Sequence, residues 1–198
     1  MNPTEFDRRL HATRALMKEQ GTDLLALGPT ENMTYLLGFH PHPDERPCLL
    51  LVTEDSVELL MPALNAEESR QFTSHAMTEW KDDDGPAEAM RTLADRLDLA
   101  NVRSVALDET MRTDFALLLM AHAPHATFSD ASSIIGHLRM RKSSLEHDVI
   151  EANAHAADAA MQAAFAALAP GVTERQVADA ASAAFKANGA ERVNFTII

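Results

Sequence analysis

The densest set of chemically capable side chains in this 198-residue sequence lies between Asn32 and Pro47, where His40, His42, Asp44, Glu45 and Arg46 follow a short apolar stretch. Imidazoles exchange protons near neutral pH, and a guanidinium grips a carboxylate through two parallel hydrogen bonds. Pro41 and Pro43 hold the two histidines in an extended loop, and Arg46 stands just before an apolar run. These groups are therefore displayed on a stiff segment rather than packed away. A solvated connection between two elements would read the same way, and the residues alone leave both readings open.

Other candidates have plainer explanations. His147, Glu151 and His155 recur at four-residue steps, so they share one stripe of a helix and match a zinc-binding spacing, yet that stripe is the polar face of an amphipathic helix. We read it as solvated and expect no metal there. His11, His75, His122, His125 and His137 are isolated and read as surface or satisfied polar groups. Asp82, Asp83 and Asp84 form an acidic run before Gly85 that lacks the further spaced ligands a cation needs. Cys48 lies among Pro47, Leu49, Leu50 and Leu51, a buried setting that suits no nucleophile. No serine, histidine and aspartate arrangement can be ordered, so no catalytic residue is assigned within the chain.

The elements that position these groups follow from periodicity. Thr4 to Gln20 reads as a helix with Phe6, Leu10 and Met17 inward, Leu24 to Leu27 as a buried strand, and Thr30 to Leu37 as a short helix broken by Gly38. Cys48 to Thr53 and Val57 to Met61 flank a Glu54-Asp55-Ser56 turn, which predicts an antiparallel hairpin. Helix signals return after Pro62 and from Pro86 to Leu97. Strand signals appear at His75 to Trp80, Val102 to Leu107 and Ala126 to Phe128, with a helix around Phe115 to Ala121 between the last two. Such alternation predicts an α/β fold, a mixed β-sheet flanked by helices. No glycine-rich phosphate fingerprint follows any strand, which argues against a dinucleotide or P-loop site.

Composition narrows the partners. The 46% hydrophobic content is enough for a real core, and the net charge of −13 opposes nucleic-acid and anionic-membrane binding because phosphates would be repelled. No apolar run reaches a membrane-spanning length, the start is polar, and the single cysteine forms no intrachain disulfide, so a cytoplasmic protein is expected.

From Leu138 onward the pattern changes. Ser143 with Glu146 and Thr173 with Gln176 are capping boxes, each opening a helix. Ile150, Ala154, Ala157, Met161, Ala164 and Leu168 predict one buried face on the first helix; Val177, Ala180, Ala181, Ala184 and Phe185 predict one on the second. Pro170 and Gly171 separate the two, Gly189 suits a left-handed C-cap, and Val193 to Ile198 reads as a strand.

The run Leu138-Arg139-Met140-Arg141-Lys142-Ser143, the turn Pro170-Gly171-Val172-Thr173-Glu174-Arg175 and the exit Gly189-Ala190-Glu191 together resemble the pita-bread metallohydrolases: creatinase, prolidase and aminopeptidase P. Ser144 departs from the proline common at that position in the family. The resemblance implies a creatinase-like N-terminal domain over 1–138 and, over 139–198, the first two helices and first strand of an incomplete pita-bread α+β domain. It further implies two divalent metal ions (Mn, Co or Zn) held by residues after Ile198, none in this part, and a homodimer acting on a small peptide or small amide. The segment Asn32, Tyr35, Leu36, Gly38, Phe39 with Arg46 resembles the family loop that reaches the neighbouring subunit's active site. That likeness casts Arg46 as a substrate-carboxylate contact, with His40 and His42 lining the pocket. The chain then reads as the dimerising, substrate-shaping part of a Xaa-Pro peptidase and as inactive alone. A creatinase-type amide hydrolase and a non-catalytic binding or dimerisation module are the alternatives.

Overall fold

Leu24, Leu25, Ala26 and Leu27 are all fully buried, as are Leu49, Leu50, Leu51 and Val52, so both strands are apolar on both faces. Continuous apolar runs of this kind belong in a sheet covered by helices on each side. The computed structural model describes residues 3–193. Over them the chain runs α1 (Pro3–Gln20), β1 (Leu24–Leu27), α2 (Glu31–Leu37), β2 (Leu49–Val52), β3 (Val57–Pro62), α3 (Ala63–Ser69), β4 (Ala76–Trp80), α4 (Ala87–Arg96), β5 (Ser104–Leu107), α5 (Thr113–Met120), β6 (Thr127–Asp130), α6 (Ile135–Met140), α7 (Ser144–Ala167) and α8 (Glu174–Ala187). Two compact units follow one another, the first ending at Arg141 and the second beginning at Lys142.

The first unit holds a six-stranded sheet in the order β4-β3-β2-β1-β5-β6. The expected hairpin is present: β2 runs antiparallel to both β1 and β3, whereas β1 with β5, β5 with β6 and β3 with β4 are parallel. Successive residues of β1 alternate between two cores. Leu25 and Leu27 face Met17 of α1, Met33 and Leu36 of α2, Ala66 of α3 and Ile135 of α6. Leu24 and Ala26 face Met90 and Leu93 of α4 and Phe115 and Leu119 of α5. Cys48 is buried, and that burial pushes its thiol up to about 12, which leaves no thiolate for nucleophilic chemistry.

α1 turns Met17 inward and packs Leu10 against the core as its apolar residues predict, but its most buried stripe also carries polar groups that periodicity does not flag. Its fully buried stripe is Glu5, Arg9, Thr13 and Met17, while Phe6 and Leu10 are half-buried on its flank. Charge is tolerated there because it is paired: Arg9 Nε lies 3.3 Å from Glu5 Oε1, Arg9 Nη1 donates to Tyr35 O at 2.8 Å, and the guanidinium sits 4.0 Å from the Tyr35 ring centroid. Thr13 Oγ1 donates to Arg9 O at 2.8 Å. Apolar counting has no means of detecting such a stripe.

His75, half-buried before β4, has its pKa lowered from the ordinary 6.5, first by burial and then by Arg14, against an opposing pull from Asp7. A folded-state value below the unfolded one means that the unfolded chain binds the proton more readily. His75 therefore contributes full stability above about pH 6.5, and this contribution is lost as the pH falls toward the depressed folded value. Thermal melts between pH 7 and pH 5 should fall less steeply for His75→Gln than for the wild type; parallel slopes would remove His75 as a cause.

In the second unit both capping boxes form: Ser143 N donates to Glu146 Oε2 and Glu146 N to Ser143 Oγ, with Thr173 and Gln176 making the matching pair. Gly189 sits at φ +92, the left-handed conformation expected of it. The faces of α8 follow expectation, with Val177 and Ala181 buried. The face of α7 does so at Ala164 but not at the other residues expected to be buried. Ala156, Ala160 and Ala164 are its buried residues, the last two packing with Val177 and Ala181, whereas Ile150, Met161 and Leu168 are more than half exposed. Alanines at four-residue steps let two helix axes approach closely, so the small stripe, not the more hydrophobic one beside it, meets the partner helix. The expected strand at Val193 to Ile198 lies, apart from Val193, outside the described residues.

Candidate functional site

β1 and β5 are neighbouring parallel strands whose following loops turn opposite ways, the first toward β2 and the second toward β6. A crevice forms where such connections diverge, at the carboxyl ends of the strands. Here it is a cleft of about 640 Å³ lined by Pro29, Thr30 and Glu31 after β1, by Thr110, Met111 and Arg112 after β5, and by His40, Pro43, Asp44 and Glu45. The loop singled out from the sequence is therefore one wall of this cleft.

The floor is a buried polar network. Asp108, 4% exposed, accepts from Thr30 Oγ1, from Asn32 Nδ2 at 3.1 Å, from Thr110 N at 3.0 Å and from Thr110 Oγ1 at 2.9 Å. Asn32 Nδ2 also reaches Glu109 Oε2 at 3.3 Å, and Asn32 Oδ1 accepts from Arg139 Nη1 at 2.6 Å. Thr30 caps α2 by accepting from Asn32 N at 3.1 Å. A satisfied network of this kind fixes the β1 and β5 loops against each other.

The wall is held at both ends. His40 Nδ1 lies 2.9 Å from Thr34 Oγ1, which donates to Thr30 O at 3.1 Å. His42 is exposed. At the other end Arg46 is surrounded by carboxylates. Nε and Nη2 each lie 3.0 Å from Asp82, and Nη1 lies 3.2 Å from Asp44 and 3.5 Å from Glu45. Hydrogen bonds to Asp82 first and Asp44 second hold the guanidinium even further above its ordinary pKa, and Arg46 in turn holds the Asp82 carboxyl below its usual range. Next to this junction Trp80 Nε1 donates to Pro47 O at 2.9 Å. Arg112 on the opposite wall forms a two-armed pair with Asp114 at 3.0 and 2.8 Å, and Asp44 and Glu45 add to the field around it.

His40 and Arg46 are thus brought to one loop beside one cleft, but the guanidinium fork is already occupied. Sequence reasoning missed Asp82, which it placed in a solvated run, and it missed Asp108 and Arg112. An acid directly after a buried strand, as in Leu107-Asp108-Glu109, is the one signal that pointed there. Among the described residues there is no group of three or more His, Cys, Asp or Glu side chains able to hold a metal ion. His147, Glu151 and His155 are all exposed. No helix among these residues is long and apolar enough to cross a membrane.

Comparison with known proteins identifies relatives of the chain and of its fold. A family described as the Creatinase/Prolidase N-terminal domain matches residues 9–141. A hydrolase/peptidase of Sinorhizobium fredii, itself uncharacterized, is 30% identical over 186 residues, which cover 87% of this chain and 47% of that protein. A Xaa-Pro dipeptidase of Pyrococcus horikoshii is 25% identical over 182 residues, covering 92% of this chain and 48% of its own. The crystal structure of dipeptidase PepE from Mycobacterium ulcerans superposes with a TM-score of 0.86 at 25% identity, covering 98% of this chain and 53% of that one. The chain spans about half the length of the curated relatives it matches.

Proposed function

The chain belongs to the Creatinase/Prolidase N-terminal domain family, and from that premise we propose that it serves as the dimerising, substrate-shaping part of a metal-dependent Xaa-Pro peptidase. The observation that carries this reading is the match to a Xaa-Pro dipeptidase over 92% of this chain but only 48% of that enzyme. On this reading the first unit is the creatinase-like domain, and the capped α7–α8 hairpin opens a catalytic domain that supplies the chemistry. Two divalent ions, manganese, cobalt or zinc, would activate water in such an enzyme. The described residues hold no group of carboxylate, imidazole or thiol side chains that fits that role. The working form would be a cytoplasmic homodimer, with His40, His42 and Arg46 facing a dipeptide in the neighbouring subunit. Nη1 of Arg46, now shared by Asp44 and Glu45, is the edge that a substrate carboxylate would take, because Glu45 is its longest and most exposed partner.

Complete subunits containing this chain should release proline from a Xaa-Pro dipeptide when manganese or cobalt is added; no proline-dependent cleavage would sink the reading. In those subunits Arg46→Ala should raise KM about tenfold or more, the worth of one charge-assisted hydrogen bond, with a smaller change in kcat. Unchanged kinetics would remove Arg46 from the site.

A further inference from the structure

Asp82 opens the acidic run after β4, and its neighbours Asp83 and Asp84 are exposed. Among the described residues it is the aspartate of the three whose side chain holds another segment, through Nε and Nη2 of Arg46. The other two carboxylates on Arg46 come from Asp44 and Glu45, its own near neighbours, and tie the loop only to itself. β3 lies between β2 and β4, so the Asp82 contact spans two strand spacings, roughly 10 Å. The Gly38–Cys48 connection has no helix or strand of its own. Its near end is set by His40 on Thr34 and its far end by Arg46 on Asp82, with Trp80 on Pro47 beside it.

We propose that Asp82 is a positioning residue for the His40–Arg46 loop: by fixing the far end of the loop to the exit of β4 it sets where His40 and His42 stand beside the cleft. Stability is not its main effect. The Asp82 side chain is 61% exposed, and exposed ion pairs contribute little to folding. Position and stability therefore separate experimentally. The consequence for catalysis rests on the peptidase reading; the position of the loop does not.

The test uses the 198-residue chain with Asp82→Asn, Asp82→Glu and, as a control that breaks a distant exposed pair with Arg91 on α4, Glu88→Gln. Histidine ring Cε1–H resonances report the loop, and the emission of Trp80, the one tryptophan, reports whether β4 is intact. Asp82→Asn should shift the His40 and His42 resonances while leaving Trp80 emission and the melting temperature near wild type. Asp82→Glu should restore the resonances, and Glu88→Gln should not move them. The proposal is overturned if Asp82→Asn leaves both histidines in place, if the glutamate does not restore them, or if the shifts appear only with a general loss of folding. In complete subunits that cleave Xaa-Pro dipeptides, Asp82→Asn should raise KM severalfold with kcat within twofold; equal kinetics would overturn the consequence for catalysis. Wild-type subunits that cleave nothing would end the peptidase reading and leave the resonance result standing.

Discussion

Replacing Gly38 with alanine should cost the first unit about 2 to 5 kcal/mol, the sum of a left-handed backbone penalty and overpacking against a ring. Gly38 sits at φ +79 as the C-cap of α2, and its N–H donates to Thr34 O. A Cβ there would lie 2.5 Å from Cε2 and 2.8 Å from Cε1 of Phe6, well inside van der Waals contact. The ring would have to shift away from the Arg9 guanidinium, 5.7 Å from its centroid and itself packed over Tyr35. Gly21→Ala is the internal comparison: φ is +66, but nothing lies within 4 Å of the added carbon. That variant should lose only about 1 to 2 kcal/mol, the backbone part alone. Denaturant melts of the two should differ by about 1 to 3 kcal/mol, the overpacking part. Equal losses would show that Phe6 gives way freely and that the α1–α2 contact is soft.

Asp108→Ala should be nearly as damaging. One carboxylate accepts from Thr30, Asn32 and both the amide and hydroxyl of Thr110, and its residue is 4% exposed. Truncation leaves several buried donors facing a small cavity, and each unsatisfied group costs about 1 to 3 kcal/mol. Some will be reached by water, so a loss of about 3 to 4 kcal/mol is expected overall. Asp108→Asn keeps one acceptor oxygen and should lose about half as much. The effect should also reach the cleft, since Thr30 and Thr110 line it: His40, bonded to Thr34 on the helix that Thr30 caps, should show a shifted ring resonance. A full-length melt unchanged within 1 kcal/mol would show that the network contributes nothing net, as buried polar networks sometimes do.

These positions differ in how much of them the sequence discloses. Gly38 was legible as a break after a short helix, because a glycine after an apolar pattern signals a left-handed cap. That Phe6 closes on it was not, since the two lie on different helices. The strands β1, β2 and β5 were legible as apolar runs, and the β2–β3 hairpin as two runs about a polar turn, because both signals are local. On α1 Met17 was legible, but Glu5 and Arg9 in the same stripe were not, since Arg9 is held by Tyr35, a residue far along the chain. The α7 face was misread for a related reason: apolar periodicity ranks Ile150, Met161 and Leu168 above alanine, whereas helix-to-helix packing selects the smaller stripe. The His40–Arg46 loop could be found from its residue types, but the carboxylate that holds its arginine could not, because Asp82 is remote in sequence and looks like any solvated acid.

Element order and type, the two capping boxes, the buried cysteine and the family likeness were all readable from residue order, because each depends on residues within a few positions of one another or on a matching motif. Tertiary structure alone decided that β1 and β5 lie side by side and open a cleft between diverging loops, that Asp108 ties those loops together, and that Arg46 already has its hands full. The physical reason is range: caps and periodicity act over three or four residues, whereas strand pairing, buried ion pairs and guanidinium partners join residues that only the folded chain brings within hydrogen-bond reach.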